Sequence, residues 1–340
     1  IITKGKNMNN IKKIGLTALA GSLVAISAQA AEMSVSGASV LTYTSGDSSE
    51  VTGNPFGMKT NLSFTASGEV NGYNVSYMQT SADQFAGMSS ARLSVDMGDM
   101  GTIAFDQGSG SGLATIDDKT PTAAEEIWDG LDVATGANAQ GLVGAAGNSG
   151  VFNYINTIGG VTFNGAARKG SGTSNADGGK SGAGQSAWDF ALTTDGSMLG
   201  VDGLAIGLGY GEAENGSAAG TTYGDEEHMT AFANYSVGPV TFGYQMSYID
   251  ANVNGTDDEE TTAWGLAFNV NENLSISYGE RDVEFDNPTT ADVEENGEGI
   301  AIAYTMGSMK IAGNRNEVSN NDNSAGSTDQ MTEIAVSFAF

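Results

Sequence analysis

The sequence predicts an all-β protein folded as a transmembrane, antiparallel, up-and-down β-barrel of about 16 strands. Apolar side chains recur at every second position through most of the chain, which places alternate side chains on opposite faces of a strand. Tight turns and long polar connections alternate between these segments, as in barrels with one short end and one elaborated end. The chain also contains 49 glycines but 4 prolines, a composition that suits tight turns and strands of small residues.

The first segment, residues 1–30, is predicted to consist of upstream residues and a cleaved signal peptide. Lys12 and Lys13 precede an apolar run from Ile14 to Ile26, and Ala28-Gln29-Ala30 supplies the small residues of a cleavage site. The apolar run is shorter than the roughly 20 residues that a membrane-spanning helix needs. We therefore expect this segment to direct export.

The remaining residues, 31–340, are predicted to form the barrel domain. Asp and Glu number 41 against 13 Lys and Arg, and the formal net charge is -28, which excludes a nucleic-acid binder that works by neutralising phosphates. The chain has no cysteine, so disulfides, thiolate metal sites and cysteine nucleophiles are excluded. No segment beyond Ile26 resembles a spanning helix, so this domain can enter a membrane only as a closed barrel.

The two faces of the predicted strands are clearest at the C-terminus. One face is large and apolar, with Ile334, Val336, Phe338 and Phe340. The other is small or polar, with Glu333, Ala335, Ser337 and Ala339. A soluble sandwich fills its interior with bulky apolar residues, whereas a small and polar second face suits a water-filled lumen.

The alternating segments, taken in order, predict strands at residues 33–43, 58–69, 73–80, 88–97, 101–106, 149–157, 160–168, 186–194, 203–212, 226–237, 239–250, 260–270, 273–282, 297–306, 309–317 and 330–340. Short turns follow the even-numbered strands, with a somewhat longer turn after strand 8. Long polar connections follow the odd-numbered strands, except for a short connection after strand 3. The longest connection, residues 107–148, follows strand 5.

Three features of residues 31–340 match one family of membrane proteins. The chain ends in Phe340 after an alternating strand, its longest connection follows strand 5, and that connection carries an acidic cluster around Trp128. In these features the chain resembles the Gram-negative general-diffusion porins, the sixteen-stranded, trimeric outer-membrane barrels. The resemblance implies that Phe340 is a signal for the barrel-assembly machinery and that residues 107–148 form a constriction loop inside the barrel.

The resemblance also implies a function and a location. We expect a passive channel for small hydrophilic solutes and ions in the outer membrane of a Gram-negative bacterium, with no cofactor and no enzymatic activity. The expected assembly is a homotrimer in contact with outer-membrane lipid and lipopolysaccharide. Because acids exceed bases, we expect the channel to prefer cations.

By this resemblance, the pore is narrowest where the acidic loop faces basic side chains on the opposite wall. The acidic candidates are Asp117, Asp118, Glu125, Glu126, Asp129 and Asp132. The basic candidates are Arg92, Arg168, Arg281 and Arg315, with Lys59 and Lys310 also considered. Opposed charges across a narrow gap create a transverse field that orients dipolar solutes. These basic residues are sparse and spread over several strands.

Alternative readings concern the loops, the lumen and the single histidine. Carboxylates in the acidic loops could bind Ca²⁺ weakly, although no loop has the spacing of an EF-hand. A plugged barrel could act as a surface adhesin or structural protein, but about sixteen strands leave room for an aqueous channel. His228 would need a positioned serine and an orienting acid to catalyse hydrolysis. No catalytic set is predicted.

Overall fold

The protein is a closed barrel of antiparallel strands, in which each strand pairs with its neighbours in sequence and β1 pairs with β16. This computed structural model describes residues 32–46, 53–81, 88–131, 141–147, 149–170, 186–215, 223–253, 256–286 and 292–340. The strands are β1 (Glu32–Gly46), β2 (Phe56–Val70), β3 (Tyr73–Ser81), β4 (Met88–Asp96), β5 (Thr102–Gln107), β6 (Ser149–Ile158), β7 (Val161–Arg168), β8 (Ala187–Asp195), β9 (Leu204–Ala213), β10 (Glu226–Val237), β11 (Val240–Asp250), β12 (Asp258–Asn269), β13 (Leu274–Asp286), β14 (Glu295–Met306), β15 (Met309–Ser319) and β16 (Thr328–Ala339).

Tight turns close one end of the barrel. Asn71 and Gly72, which join β2 to β3, both have positive φ, at 54° and 85°. Gly159 and Gly160 join β6 to β7 with φ values of 60° and 86°. Positive φ at both central residues is the geometry of a two-residue hairpin turn whose twist matches the strands. The turn chemistry therefore fixes the register at this end.

The distribution of apolar side chains is the reverse of that in a soluble protein. Phe242, Leu266 and Phe338 are exposed on the outer face, whereas Gln245 and Asn316 are buried on the inner face. A barrel in a bilayer needs this arrangement, because hydrocarbon contacts its outside and water its lumen. The outer aromatic rings also pack across strands, as between Trp264 and Tyr278, whose centroids are 5.6 Å apart.

The predicted strands are confirmed in number, order and direction, and the largest difference is at the long-loop end of β13. Strand 13 was predicted to end at residue 282, but β13 continues to Asp286 and pairs it with Asp258 of β12. The outward-facing apolar residues end before the strand does: the outward side chains become acidic from Glu280 onward, while the apolar Val283 and Phe285 face inward and are buried. Hydrophobic periodicity measures the apolar band and so underestimates strand length.

Among the described residues, the helical segments are short 3₁₀ turns such as Gly112–Thr115. In the described part of the chain, none of the helices has the length and apolar character required to span a membrane. The predicted signal peptide, residues 1–30, lies outside the described residues.

Candidate functional site: a loop along the lumen wall

The long connection after β5 runs along the inner face of the barrel. We call residues 108–147 the lumen loop, of which 108–131 and 141–147 are described. Gln245 of β11 donates from Nε2 to the carbonyl oxygens of Ile116 and Asp117, both at 2.9 Å. Asn316 of β15 donates from Nδ2 to the carbonyl oxygen of Asp129 at 2.9 Å. The outgoing part of the lumen loop therefore crosses the inner wall toward the last strands.

A row of glycines makes room for this path. Four inward-facing glycines pair in register across neighbouring strands: Gly243, Gly265, Gly279 and Gly299. A Cβ at Gly265 would lie 2.7 Å from the carbonyl oxygen of Pro121, and one at Gly299 would lie 2.9 Å from Cβ of Ile127. Such contacts are too short for any larger residue without displacement. The glycine row, β11 to β14, thus lets the lumen loop lie directly on the wall.

Apolar side chains attach the lumen loop to β8 and β10, next to the glycine row. Leu113, Ile116 and Val143 of the loop are buried against Ala191 of β8 and Phe232 of β10. Burial of each large aliphatic side chain contributes roughly 1.5–3 kcal/mol. A small apolar core therefore occupies part of the lumen.

The returning part of the lumen loop is held by side chains of three strands. Gly141 N donates to Glu259 Oε2 at 2.5 Å, and Gly144 N donates to His228 Nδ1 at 3.4 Å. Ala146 N donates to Asp189 Oδ2 at 2.7 Å. Both parts of the loop are thus attached to the inner wall through backbone groups.

The structure places the acidic cluster on the lumen loop. Burial, and then the neighbouring charge of Asp118, raises the pKa of Asp117 to about 7. Burial also raises the pKa of Glu126, with the nearby carboxylates adding to the effect. The remaining described members are Glu125 and Asp129, while Asp132 lies outside the described residues. Carboxylates are therefore crowded enough to hinder one another's ionisation.

Three of the arginines predicted to form a basic wall opposite the loop instead contact the loop itself. Arg92 of β4 faces the lumen, but its Nη1 lies 3.5 Å from Oδ2 of the buried Asp106. Its guanidinium also donates to Ser111 Oγ at 3.2 Å and to the Gly110 carbonyl oxygen at 3.3 Å. This arginine holds the start of the lumen loop, and its charge is balanced locally by a carboxylate.

Arg281 and Arg168 also face inward and lie against the lumen loop. Arg281 of β13 is buried, donates from Nη2 to Glu295 Oε1 at 2.9 Å, and lies 4.9 Å from the ring centroid of Trp128. Arg168 of β7 lies below Gly147, where an added Cβ would be 3.1 Å from Nη1. Both arginines therefore extend from the barrel wall to contact the lumen loop.

The prediction that Arg315 belongs to the lumen wall is wrong. Its guanidinium donates to Glu317 and, at 2.8 Å, to Oε1 of Gln330 on the outer face of the barrel. The inward positions of β15 are taken by Asn314 and Asn316, which are both buried. Strand alternation consequently directs Arg315 outward.

The wall of β1 to β3 is lined mainly by hydroxyl and amide groups. Ser63 of β2 and Thr80 of β3 pair through their hydroxyls at 3.0 Å, and Asn61 lies on the same face. Lys59 is the basic residue of this surface, and charge interactions connect Glu333 of β16 to Lys59 and to Asp129 of the lumen loop. We call this surface of β1 to β3 the hydroxyl wall.

Sequence reasoning missed the polar residues that attach the loop, chiefly Asp189, Gln245 and Asn316. Their positions in the alternation already predict that they face the lumen. A large polar side chain among small inward residues indicates that it has a bonding partner there. His228 lies beside Glu226, with Nε2 to Oε1 at 2.6 Å. Among the residues that the structure describes, no group of three or more acidic or histidine side chains is arranged to hold a metal ion.

Phe340, the predicted assembly signal, lies at the seam of the barrel. Its backbone N donates to the Gly37 carbonyl oxygen, and its own carbonyl oxygen accepts from Gly37 N, both at 2.9 Å. The ring is exposed. The terminal residue therefore completes the closing pair of strands, and its role in assembly stays a prediction.

Known proteins provide an independent comparison. The family model for Gram-negative porins matches residues 15–323. The trimer form of OmpT, an outer membrane protein of Vibrio cholerae, has 12% identity and a TM-score of 0.64, over 92% of this chain and 100% of that chain. The outer membrane channel DcaP of Acinetobacter baumannii has 13% identity and a TM-score of 0.65, over 91% and 97%.

A third similar structure is Salmonella typhi OmpF in complex with daunomycin, with 12% identity and a TM-score of 0.63, over 91% of this chain and 97% of that chain. At these identities the likeness establishes the fold alone. No curated protein matches the sequence.

Proposed function

The chain belongs to the Gram-negative porin family, and from that premise we propose that it is a passive, cation-preferring diffusion channel for small hydrophilic solutes. As a member of this family it is an outer-membrane channel. The proposal concerns its selectivity, its constriction and its assembly. The observation that carries it is the pairing of charges along the lumen.

Two of the three inward-facing arginines contribute little free positive charge to the pore. Arg92 is paired with Asp106, and Arg281 is paired with Glu295 beneath the lumen loop. A paired charge presents a much weaker field to a passing ion than an isolated one. The basic half of the lumen is therefore reduced mainly to Arg168 and to lysines such as Lys59.

Carboxylates dominate the lumen loop itself. The lumen loop carries Asp117, Asp118, Glu125, Glu126 and Asp129. Lys119 lies among them, with Nζ 4.0 Å from Oδ1 of Asp118. Negative charge in a narrow passage with low-dielectric walls concentrates cations and repels anions. This asymmetry supports cation preference.

The test is the reversal potential of single channels in a salt gradient. Replacing Glu125→Gln and Asp129→Asn together should lower the cation-to-anion permeability ratio, roughly twofold or more. The matched control is Glu284→Gln with Asp286→Asn, because both residues are exposed on the outer face of β13. Anion preference in the unmodified protein would refute the proposal.

The lumen loop is also proposed to set the size limit. Its path along the inner wall supports this, since any bulk there narrows the passage. Deleting Asp117 to Asp132 should raise single-channel conductance. Unchanged conductance would mean that the loop lies outside the conducting path, and a folded barrel with no conductance at all would favour the plugged alternative.

We further propose a homotrimer without catalytic turnover. The trimer form of the similar OmpT structure supports the assembly. His228 contacts Glu226 and the backbone of Gly144, an arrangement that positions the lumen loop and has no nucleophile in it. Cross-linking of the refolded protein in detergent should trap three subunits; a monomer as the largest species would contradict the assembly.

A further inference from the structure

We infer that Asp189 is a positioning residue that fastens both parts of the lumen loop and thereby keeps the channel steadily open. The inference rests on the proposed function in one respect, namely that the loop narrows the conducting path. It adds a specific residue on the wall whose loss should change loop motion without changing the barrel. Asp189 lies on the inner face of β8 and is 2% exposed.

The two carboxylate oxygens of Asp189 bind opposite ends of the loop. Oδ1 accepts from Leu113 N at 3.0 Å, in the outgoing part. Oδ2 accepts from Ala146 N at 2.7 Å, in the returning part. A single side chain thus connects two backbone segments that are separated by the whole length of the loop.

The neighbouring strands complete this attachment. Asp189, Gly211 and His228 lie in register on β8, β9 and β10. Gly211 leaves space for the returning part, since a Cβ there would lie 2.9 Å from Cβ of Ala145. On the far side of Gly211, His228 Nδ1 accepts from Gly144 N at 3.4 Å. We call Asp189, Gly211 and His228 the loop clasp.

The surroundings of Asp189 make the attachment hard to replace by water. Leu113 and Ala146, whose N–H groups it binds, are both 0% exposed. A buried carboxylate needs hydrogen-bond donors, and bonds to a charged acceptor are stronger than neutral ones. Releasing either part of the loop would separate one carboxylate oxygen from its buried N–H donor. The loop clasp therefore favours the state in which both parts are in place.

The experiment compares Asp189→Asn with Asp195→Asn in single-channel recordings. Asp195 lies on the same strand, carries the same charge and bonds Ser197 N of the adjacent turn at 3.1 Å, away from the lumen loop. Asn presents one oxygen and one NH₂ group, so one of the two N–H groups loses its acceptor. We expect brief partial closures to become about tenfold more frequent in Asp189→Asn, the change expected from one lost charge-assisted hydrogen bond.

Two further readouts separate this role from folding and from simple electrostatics. Heat-modifiable migration on a gel reports the intact barrel, and the reversal potential reports the charge of the pore. The inference would be overturned if brief partial closures were no more frequent in Asp189→Asn channels than in Asp195→Asn channels. This outcome leaves the proposed function intact, because conduction, cation preference and the effect of deleting the loop are each measured without any change at Asp189.

A measurement on the unmodified protein covers the case in which Asp189→Asn does not fold. The amide hydrogens of Leu113 and Ala146 should exchange with solvent as slowly as those of the barrel strands. Exchange as fast as that of Gly72, in an exposed turn, would mean that Asp189 does not hold the loop and would refute the inference.

Discussion

The lumen wall has two regions whose inward side chains differ in size and in partner. From β8 to β15 the lumen loop contacts the wall, and the inward positions that it meets are glycines, polar side chains that bond the loop backbone, and a few apolar side chains such as Phe232. From β1 to β3 the inward positions carry hydroxyl groups that pair with one another, such as Ser63 with Thr80. Both regions follow the same alternation along the strand.

This contrast separates two kinds of information in the sequence. The period of two determines which side chains face inward. The size of those inward residues determines whether the loop can lie on the wall, because Gly265 and Gly299 contact loop atoms that a Cβ would displace. On the hydroxyl wall the inward positions carry side chains such as Ser63 and Thr80, which bond each other.

The largest expected effect on the attachment of the lumen loop comes from removing a buried apolar side chain that holds it to the wall. Leu113 is 0% exposed, and Leu→Ala at such a site costs about 2–5 kcal/mol. We expect Leu113→Ala to loosen the lumen loop while the barrel stays closed, measured as faster cleavage of the loop by protease in the folded protein. Leu266→Ala, on the outer face, is the control and should leave cleavage of the loop unchanged. Equal cleavage in both variants would contradict the apolar attachment.

Adding one methyl group to the glycine row should have a smaller effect. In Gly299→Ala the new Cβ would lie 2.9 Å from Cβ of Ile127, and overpacking of this kind costs about 1–3 kcal/mol. The temperature at which the heat-modifiable band is lost should therefore fall. Gly297→Ala is a matched control on the same face of β14, since its Cβ would be no nearer than 3.4 Å to any neighbour. Equal temperatures for the two variants would show that the loop does not press on the wall.

The strands could be predicted from sequence because each depends on local alternation and on turn residues such as Asn71 and Gly72. The loop attachments could not, because they join residues far apart in the chain. Leu113 and Asp189 are separated by 76 positions, and no local pattern specifies which wall residue meets which loop residue.

The predicted basic residues also show that the alternation gives the direction of a side chain but not its partner. Alternation correctly placed Arg92, Arg168 and Arg281 on the inner face, but it carries no information about partners. The pairing of Arg281 with Glu295 depends on the register between β13 and β14. Arg315 is a candidate by charge alone, because its position in the alternation matches that of Ile311 on the outer face. For this residue the alternation predicts the orientation correctly and the charge does not.

The smallest expected effect is a change of ion selectivity with pH. It distinguishes the two regions because, among the described residues, only the loop side carries a carboxylate that titrates near neutral pH. The pKa of Asp117 is raised to about 7 by burial and by Asp118, so this carboxylate is ionised above that pH and neutral below it. The hydroxyls of Ser63 and Thr80 do not titrate in this range. Lowering the pH from 8 to 6, on either side of about 7, should therefore reduce the negative charge of the loop side alone.

The measurement is the reversal potential in a fixed salt gradient at each pH. The cation-to-anion permeability ratio should fall on acidification in the unmodified protein, and the step near neutrality should be missing in Asp117→Asn. Ser63→Ala on the hydroxyl wall is the control and should keep the step. If Asp117→Asn retains the full step, another group titrates in the pore, and Asp117 does not contribute to its charge near neutral pH.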